Sequence, residues 1–184
     1  MSMKSAYPVM PRHFLCLLST FVFVGAVTTA HADHHLKLSD ELKPLQFLVG
    51  DWVLEREGDD GVKTTITTSS RPDAQGHVLR TSGQWHRDGE LRVSWFTLRY
   101  KKHNSQDITT INVVSNGSRH EGSTSARDGM LVTKSEGTNA NGDKVSFETH
   151  VKMVDQDTIT SQRMNIVVNG EARDNWPVGN YKRK

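Results

Sequence analysis

Val145, Phe147, Thr149, Val151 and Met153 alternate with Ser146, Glu148, His150 and Lys152, one apolar face against one polar face. A period of two predicts a half-buried β-strand. Leu91 to Tyr100 is bulky on both faces, with Leu91, Val93 and Trp95 on one and Phe96, Leu98 and Tyr100 on the other. Such a strand is either covered on both sides or carries an outward apolar patch. Lys63 to Ser70 is mainly threonine, a good strand former that adds little core volume. Ser118 to Ala126 has no large apolar residue on either face, so it lines something hydrated or forms a weakly packed edge. Ahead of these, Leu42, Leu45, Leu48 and Val49 recur at three-to-four spacing and predict one short helix over about 40–49. Ser39 or Asp40 can cap it, Gly50 can end it, and Pro44 is tolerated because it falls in the first turn. A helix this short needs tertiary packing to persist, which suits a lid on one end of a sheet or barrel.

The polar stretches between these segments are turns. Asp60-Gly61, Asp88-Gly89, Asn116-Gly117, Asp128-Gly129, Asn141-Gly142 and Asn169-Gly170 carry the dipeptides that tolerate the positive φ angles of tight hairpins. Pro72 to Gly76, His103 to Gln106 and Asp155 to Asp157 fill the remaining gaps. Together they delimit ten short segments, the pattern of an antiparallel up-and-down meander. Ten such strands predict an all-β barrel, because closure removes exposed edges, and a ten-stranded barrel encloses a cavity. A two-sheet sandwich is the competing architecture.

Residues 1–32 have the layout of a secretory signal peptide: Lys4 and Arg12, an apolar run from Phe14 to Val27, then Ala30-His31-Ala32. The run is too short for the ~20 residues of a membrane span. Cleavage after Ala32 would leave 33–38 as a flexible terminus and 39–184 as a single barrel domain, periplasmic or secreted, with no stable membrane insertion. The 23 basic and 21 acidic side chains come into balance once Lys4 and Arg12 depart, and no basic cluster suggests a nucleic-acid partner. Cys16, the one cysteine, leaves with the signal, so the mature chain has no disulfide and is held by packing.

Leu42-Lys-Pro-Leu-Gln-Phe-Leu-Val-Gly-Asp-Trp52, with Asn169-Gly-Glu171, Pro177-Val178 and Tyr181-Lys-Arg-Lys184, resembles a family of exported bacterial proteins of unknown function and similar length. Gly50-Asp51-Trp52 also resembles the Gly-x-Trp that opens lipocalins and other calycin barrels. That resemblance implies a calycin-like fold in which Lys182 or Arg183 packs over Trp52 as a cation–π closure. Nitrobindin-like haem barrels share the opening and the ten-stranded meander but continue with glycine-rich spacing. This chain instead reads Val53-Leu-Glu-Arg-Glu57, and no cofactor is expected.

The chemistry left open is that of a binding site. No Gly-x-Ser-x-Gly elbow is present, and His150 belongs to the polar face of its strand. Arg80, Arg99 and Arg119 are candidates to grip an anionic head inside the barrel, Trp95 and Tyr100 to hold its apolar body, and His120 to line the cavity on the polar strand. Cleavage would also expose Asp33-His34-His35, whose amine, backbone nitrogens and imidazole could wrap copper(II) in square-planar geometry. Three functions therefore stand: a carrier for a small apolar or amphipathic ligand, an interaction module using the outer patch of Phe96, Leu98 and Tyr100, and an enzyme built around Arg119, His120 and Glu121.

Overall fold

A computed structural model of the chain describes residues 37–184. The predicted signal peptide and the Asp33-His34-His35 motif lie outside the described residues. Eleven strands follow a first helix: β1 (Gly50–Glu57), β2 (Lys63–Asp73), β3 (Val78–Arg87), β4 (Glu90–Lys101), β5 (Ile108–Val114), β6 (Arg119–Arg127), β7 (Met130–Thr138), β8 (Lys144–Asp155), β9 (Thr158–Val168), β10 (Glu171–Arg173) and β11 (Gly179–Arg183). Each strand from β1 to β9 pairs antiparallel with the next. The far edge of β9 then pairs with β10 near one end and with β11 near the other, and β11 returns to β1. β10 and β11 amount to one last strand interrupted over Asp174–Val178. The result is a meander of ten strands closed into a barrel.

The turns fall where the Asx-Gly pairs and polar stretches predict them. In Asp88-Gly89, Asp128-Gly129 and Asn169-Gly170 both residues take positive φ, the conformation of the tight hairpin that matches strand twist. The helix Asp40–Leu48 is 3₁₀ rather than α. Pro44 sits inside it without an N–H to donate, and a three-residue period lines Leu42, Leu45 and Leu48 into one row. That row is buried against Trp52, Leu79, Ile108, Leu131 and Ile159, so the helix plugs one end of the barrel with the apolar core beneath it. The Trp52 indole donates to the Leu48 carbonyl at 3.0 Å and ties the plug to the first strand. Among the described residues, the opposite end carries only the short turns after β1, β3, β5, β7 and β9.

Ladder register sorts the side chains. Cross-strand partners share a face, so buried Trp52 and Leu54 place Thr68 and Ile66 inside. Carried around the wall, the same rule places Trp95, Thr97 and Arg99 inside on β4 and Phe96, Leu98 and Tyr100 outside. β9 carries one extra residue opposite β8 at Asn165, whose φ is 52°. This bulge shifts the parity of the strand, so that Arg163 and Ile166 both belong to the inner face.

Candidate functional site

The interior has three tiers. Beneath the plug it is apolar. Around its waist the inward positions are Thr81, Thr97, Thr110, Thr124, Thr133, Thr149 and Ser161, a belt of hydroxyls. Towards the open end the inward residues are apolar again: Ile66, Trp85, Val93, Trp95, Val114, Val145 and Val168. All seven are only half-buried although they point inward, so solvent enters the interior from this end.

The hydroxyls satisfy one another. Thr124 bridges Thr110 at 2.8 Å and Thr133 at 2.7 Å, and Ser70 bonds Thr81 at 2.8 Å. Asn112 donates to Thr97 at 2.8 Å and lies 3.4 Å from His120 Nδ1. This is how strands with little apolar bulk can line the inside of a fold: the bonded hydroxyls supply partners to one another.

Two arginines stand within this frame. Arg99 reaches Thr81 Oγ1 at 3.2 Å, and desolvation pulls its pKa down to about 10. Arg163 packs against two rings, its guanidinium carbon 3.9 Å from the Phe147 centroid and 4.2 Å from that of Trp176. Desolvation lowers its pKa to about 10 as well, against a smaller opposing effect of Tyr181. Between the rims, no inward position of the ladders carries Asp or Glu. His120 packs edge-on against Phe147 at 5.1 Å, and burial first, then the nearby Arg163 charge, lowers its pKa. The imidazole is therefore neutral at physiological pH. Burial raises the Tyr181 pKa, so the phenol keeps its proton.

The residues chosen from sequence divide. Trp95 and His120 face inward. Arg80 does not: it pairs with outward Leu98 across the ladder and forms an exposed ion pair with Asp73 at 3.4 Å. Arg119 likewise points outward to an ion pair with Glu121, and Tyr100 lies on the outer face, five positions from Trp95 and so of opposite parity. With Arg119 and Glu121 outside and His120 inside, the three do not converge into one polar site. His150 is outward and bonds Glu148 at 3.0 Å. Lys182 donates to Thr158 at 2.7 Å, while Arg183 lies over the Trp52 ring.

The sequence pattern points to neither Arg163 nor the interruption of the last strand. The stretch Ser161-Gln-Arg-Met-Asn165 reads as an exposed polar strand, and only the closing register turns its arginine inward. Neither of the two best-formed hollows is the enclosed cavity expected of a ten-stranded barrel. Two hollows, of about 680 and 450 Å³, are lined mostly by outward-facing residues, the larger across β1 to β5 and the smaller across β6 to β9. Trp85, Trp95 and Phe147 point inward and fill part of the interior, and the space bordered by the half-buried residues at the end away from the helix is the well.

No group of three or more metal-ligating side chains occurs among the described residues. No family model matches the chain, and no curated protein matches it. The resemblance of its two ends to exported bacterial proteins thus carries no family assignment. Among solved structures the chain is similar to a de novo designed fluorescence-activating β-barrel, at 12% identity and a TM-score of 0.37, covering 76% of this chain and 95% of the design.

Proposed function

We propose that the chain is an exported, calycin-like barrel that binds a small amphipathic anion in its open well, in the periplasm or outside the cell. One observation carries the reading. Arg99 and Arg163 are desolvated inside the wall with no carboxylate between the rims to balance them. Unpaired charge in such surroundings costs free energy that the protein itself does not offset. A ligand bearing a negative group would offset it. The half-buried Ile66, Trp85, Val93 and Trp95 above supply the surface for that ligand's apolar body.

Titration with 8-anilinonaphthalene-1-sulfonate, an amphipathic anion, tests the proposal. One saturable site, lost when Arg99 and Arg163 are both changed to Met, is the expected result. Binding that grows without saturation, or that survives the double change, would remove the reading.

The outer face favours a second role, as an interaction module. Phe96 and Val113 are cross-strand partners, 37% and 49% exposed, and they border the larger hollow. Changing both to Ser would leave dye binding intact and abolish any partner contact made there.

A further inference from the structure

The barrel wall has one seam. β1 is paired to the last strand only at Trp52 and Val53, and β10 pairs with β9 alone. Leu54 to Glu57 therefore have no ladder partner on that side among the described residues, and Asp174–Val178 spans the space. This segment is held to β9 rather than to β1: Trp176 N donates to the Arg163 carbonyl at 2.9 Å, and Gln162 donates to the Trp176 carbonyl at 3.0 Å. The Trp176 ring, 55% exposed, is thereby laid on Arg163.

The Arg163 guanidinium carbon lies 3.9 Å from the Phe147 centroid and 4.2 Å from that of Trp176, so it is packed against both rings. Its N–H groups form the edge left to meet a ligand. That edge donates no side-chain hydrogen bond to the described residues, yet it is not sealed from solvent, since among the described residues the one buried side-chain polar atom without a partner is Ser39 Oγ. A guanidinium packed against two rings, with its N–H groups unpaired among the described residues, suits a planar group whose two oxygens can meet two N–H groups. Ser161, two residues away on the same face, and Thr149, its cross-strand partner, add hydroxyl donors beside it. Tyr181, whose proton is retained, lies near enough to interact with its charge. A carboxylate also matches the single positive charge, whereas a phosphate monoester dianion would bring one negative charge too many into a desolvated place.

We infer that Arg163, with Trp176 as its lid at the seam, is a head-group subsite for a carboxylate. This rests on the reading of the well as a site for amphipathic anions and names the class of anion.

Isothermal titration of the full chain with decanoate, decanol and decyl phosphate tests it, with Trp176 fluorescence as a second readout. Decanoate should bind one to one and roughly tenfold or more tighter than decanol, as a charge-assisted pair implies. R163Q should bring decanoate down to the level of decanol and leave decanol unchanged. R163K, which keeps the charge but not the fork, should fall between, and it decides the matter if R163Q does not fold. W176F should abolish most of the fluorescence response to decanoate while R80Q, on the outer face, keeps it. An unchanged decanoate-to-decanol ratio in R163Q and R163K would move the head group elsewhere and overturn the subsite while leaving the well as a ligand site. A tenfold preference for decyl phosphate would overturn the choice of carboxylate. If the wild-type chain binds none of the three probes and no sulfonate dye, the broader reading fails and this one with it.

Discussion

Arg183 lies across the indole of Trp52, its guanidinium carbon 4.2 Å from the ring centroid, and donates to the Val49 carbonyl at 2.9 Å. The pair joins the last strand to the first at the plugged end, where the barrel closes. Lys182, next to it in sequence, points outward and cannot serve. Trp52 is fully buried among the leucines of the plug, so its replacement by Ala is expected to cost ~3–5 kcal/mol, mostly lost packing. Arg183→Ala should cost ~1 kcal/mol, since a partly exposed cation–π contact is weak. Denaturant unfolding of both variants checks the difference; equal costs would mean that the closure, not the packing, dominates.

The hydroxyl chain Thr110–Thr124–Thr133 makes a separate prediction. Thr124 is nearly inaccessible and bonds both neighbours. Thr124→Val keeps its volume and removes only the bridge, leaving two hydroxyls to find new partners. A loss of ~1–3 kcal/mol is expected. Changing all three to Val should recover most of it, because no polar group is then orphaned.

Turn chemistry made most of the fold legible. Nine polar breaks separate ten segments because Asx-Gly pairs act locally, through φ angles that do not depend on distant contacts. Inward and outward faces were legible only where one face was plainly polar, as in Val145 to Met153. On Leu91 to Tyr100 both faces are bulky, so nothing local tells Trp95 from Phe96; ladder register decides. Arg163 is the sharper case, since its direction depends on the bulge at Asn165 and on pairing with strands far away in sequence. The break at Asp174–Val178 has no local signature beyond Pro177, and it creates the seam.

Gly83 faces the interior directly beneath the Trp95 indole, and a Cβ there would run into the ring. Its φ is not in the left-handed region, so Gly83→Ala acts only through that contact. The indole must move into the well. Reduced ligand affinity and a shifted tryptophan emission are expected. An unchanged emission spectrum would show that the ring already lies elsewhere.

The pH dependence of stability should carry the mark of His120. Its folded pKa lies below the ordinary 6.5, through burial and then the charge of Arg163, so below that value the unfolded chain binds the extra proton. The contribution is fully present above pH 6.5 and is lost as pH falls through the folded value. His120→Gln should flatten the part of the stability profile that begins as pH falls below 6.5. It should leave the more acidic limb alone. That limb belongs to carboxylates held low by hydrogen bonds, Asp51 by Arg71 and Glu148 by His150.

The arginines of the well make the strongest demand, because function and stability pull against each other there. Arg99 is desolvated, and its bond to Thr81 is not needed by that hydroxyl, which Ser70 already satisfies at 2.8 Å. Arg99→Met keeps the bulk and the contacts of the stem while removing the charge. The unliganded protein should therefore gain about 1–2 kcal/mol, the direction found when buried charge is replaced by apolar groups of similar volume. A charge retained at a cost in the empty protein is explained by what it does in the occupied one. The same variant should bind the sulfonate dye more weakly, and added salt should weaken the wild type more than the variant. Thermal unfolding with and without dye separates the two effects. If Arg99→Met destabilises the empty barrel by as much as a core truncation does, the guanidinium is a structural brace and the well loses one of its two anion anchors.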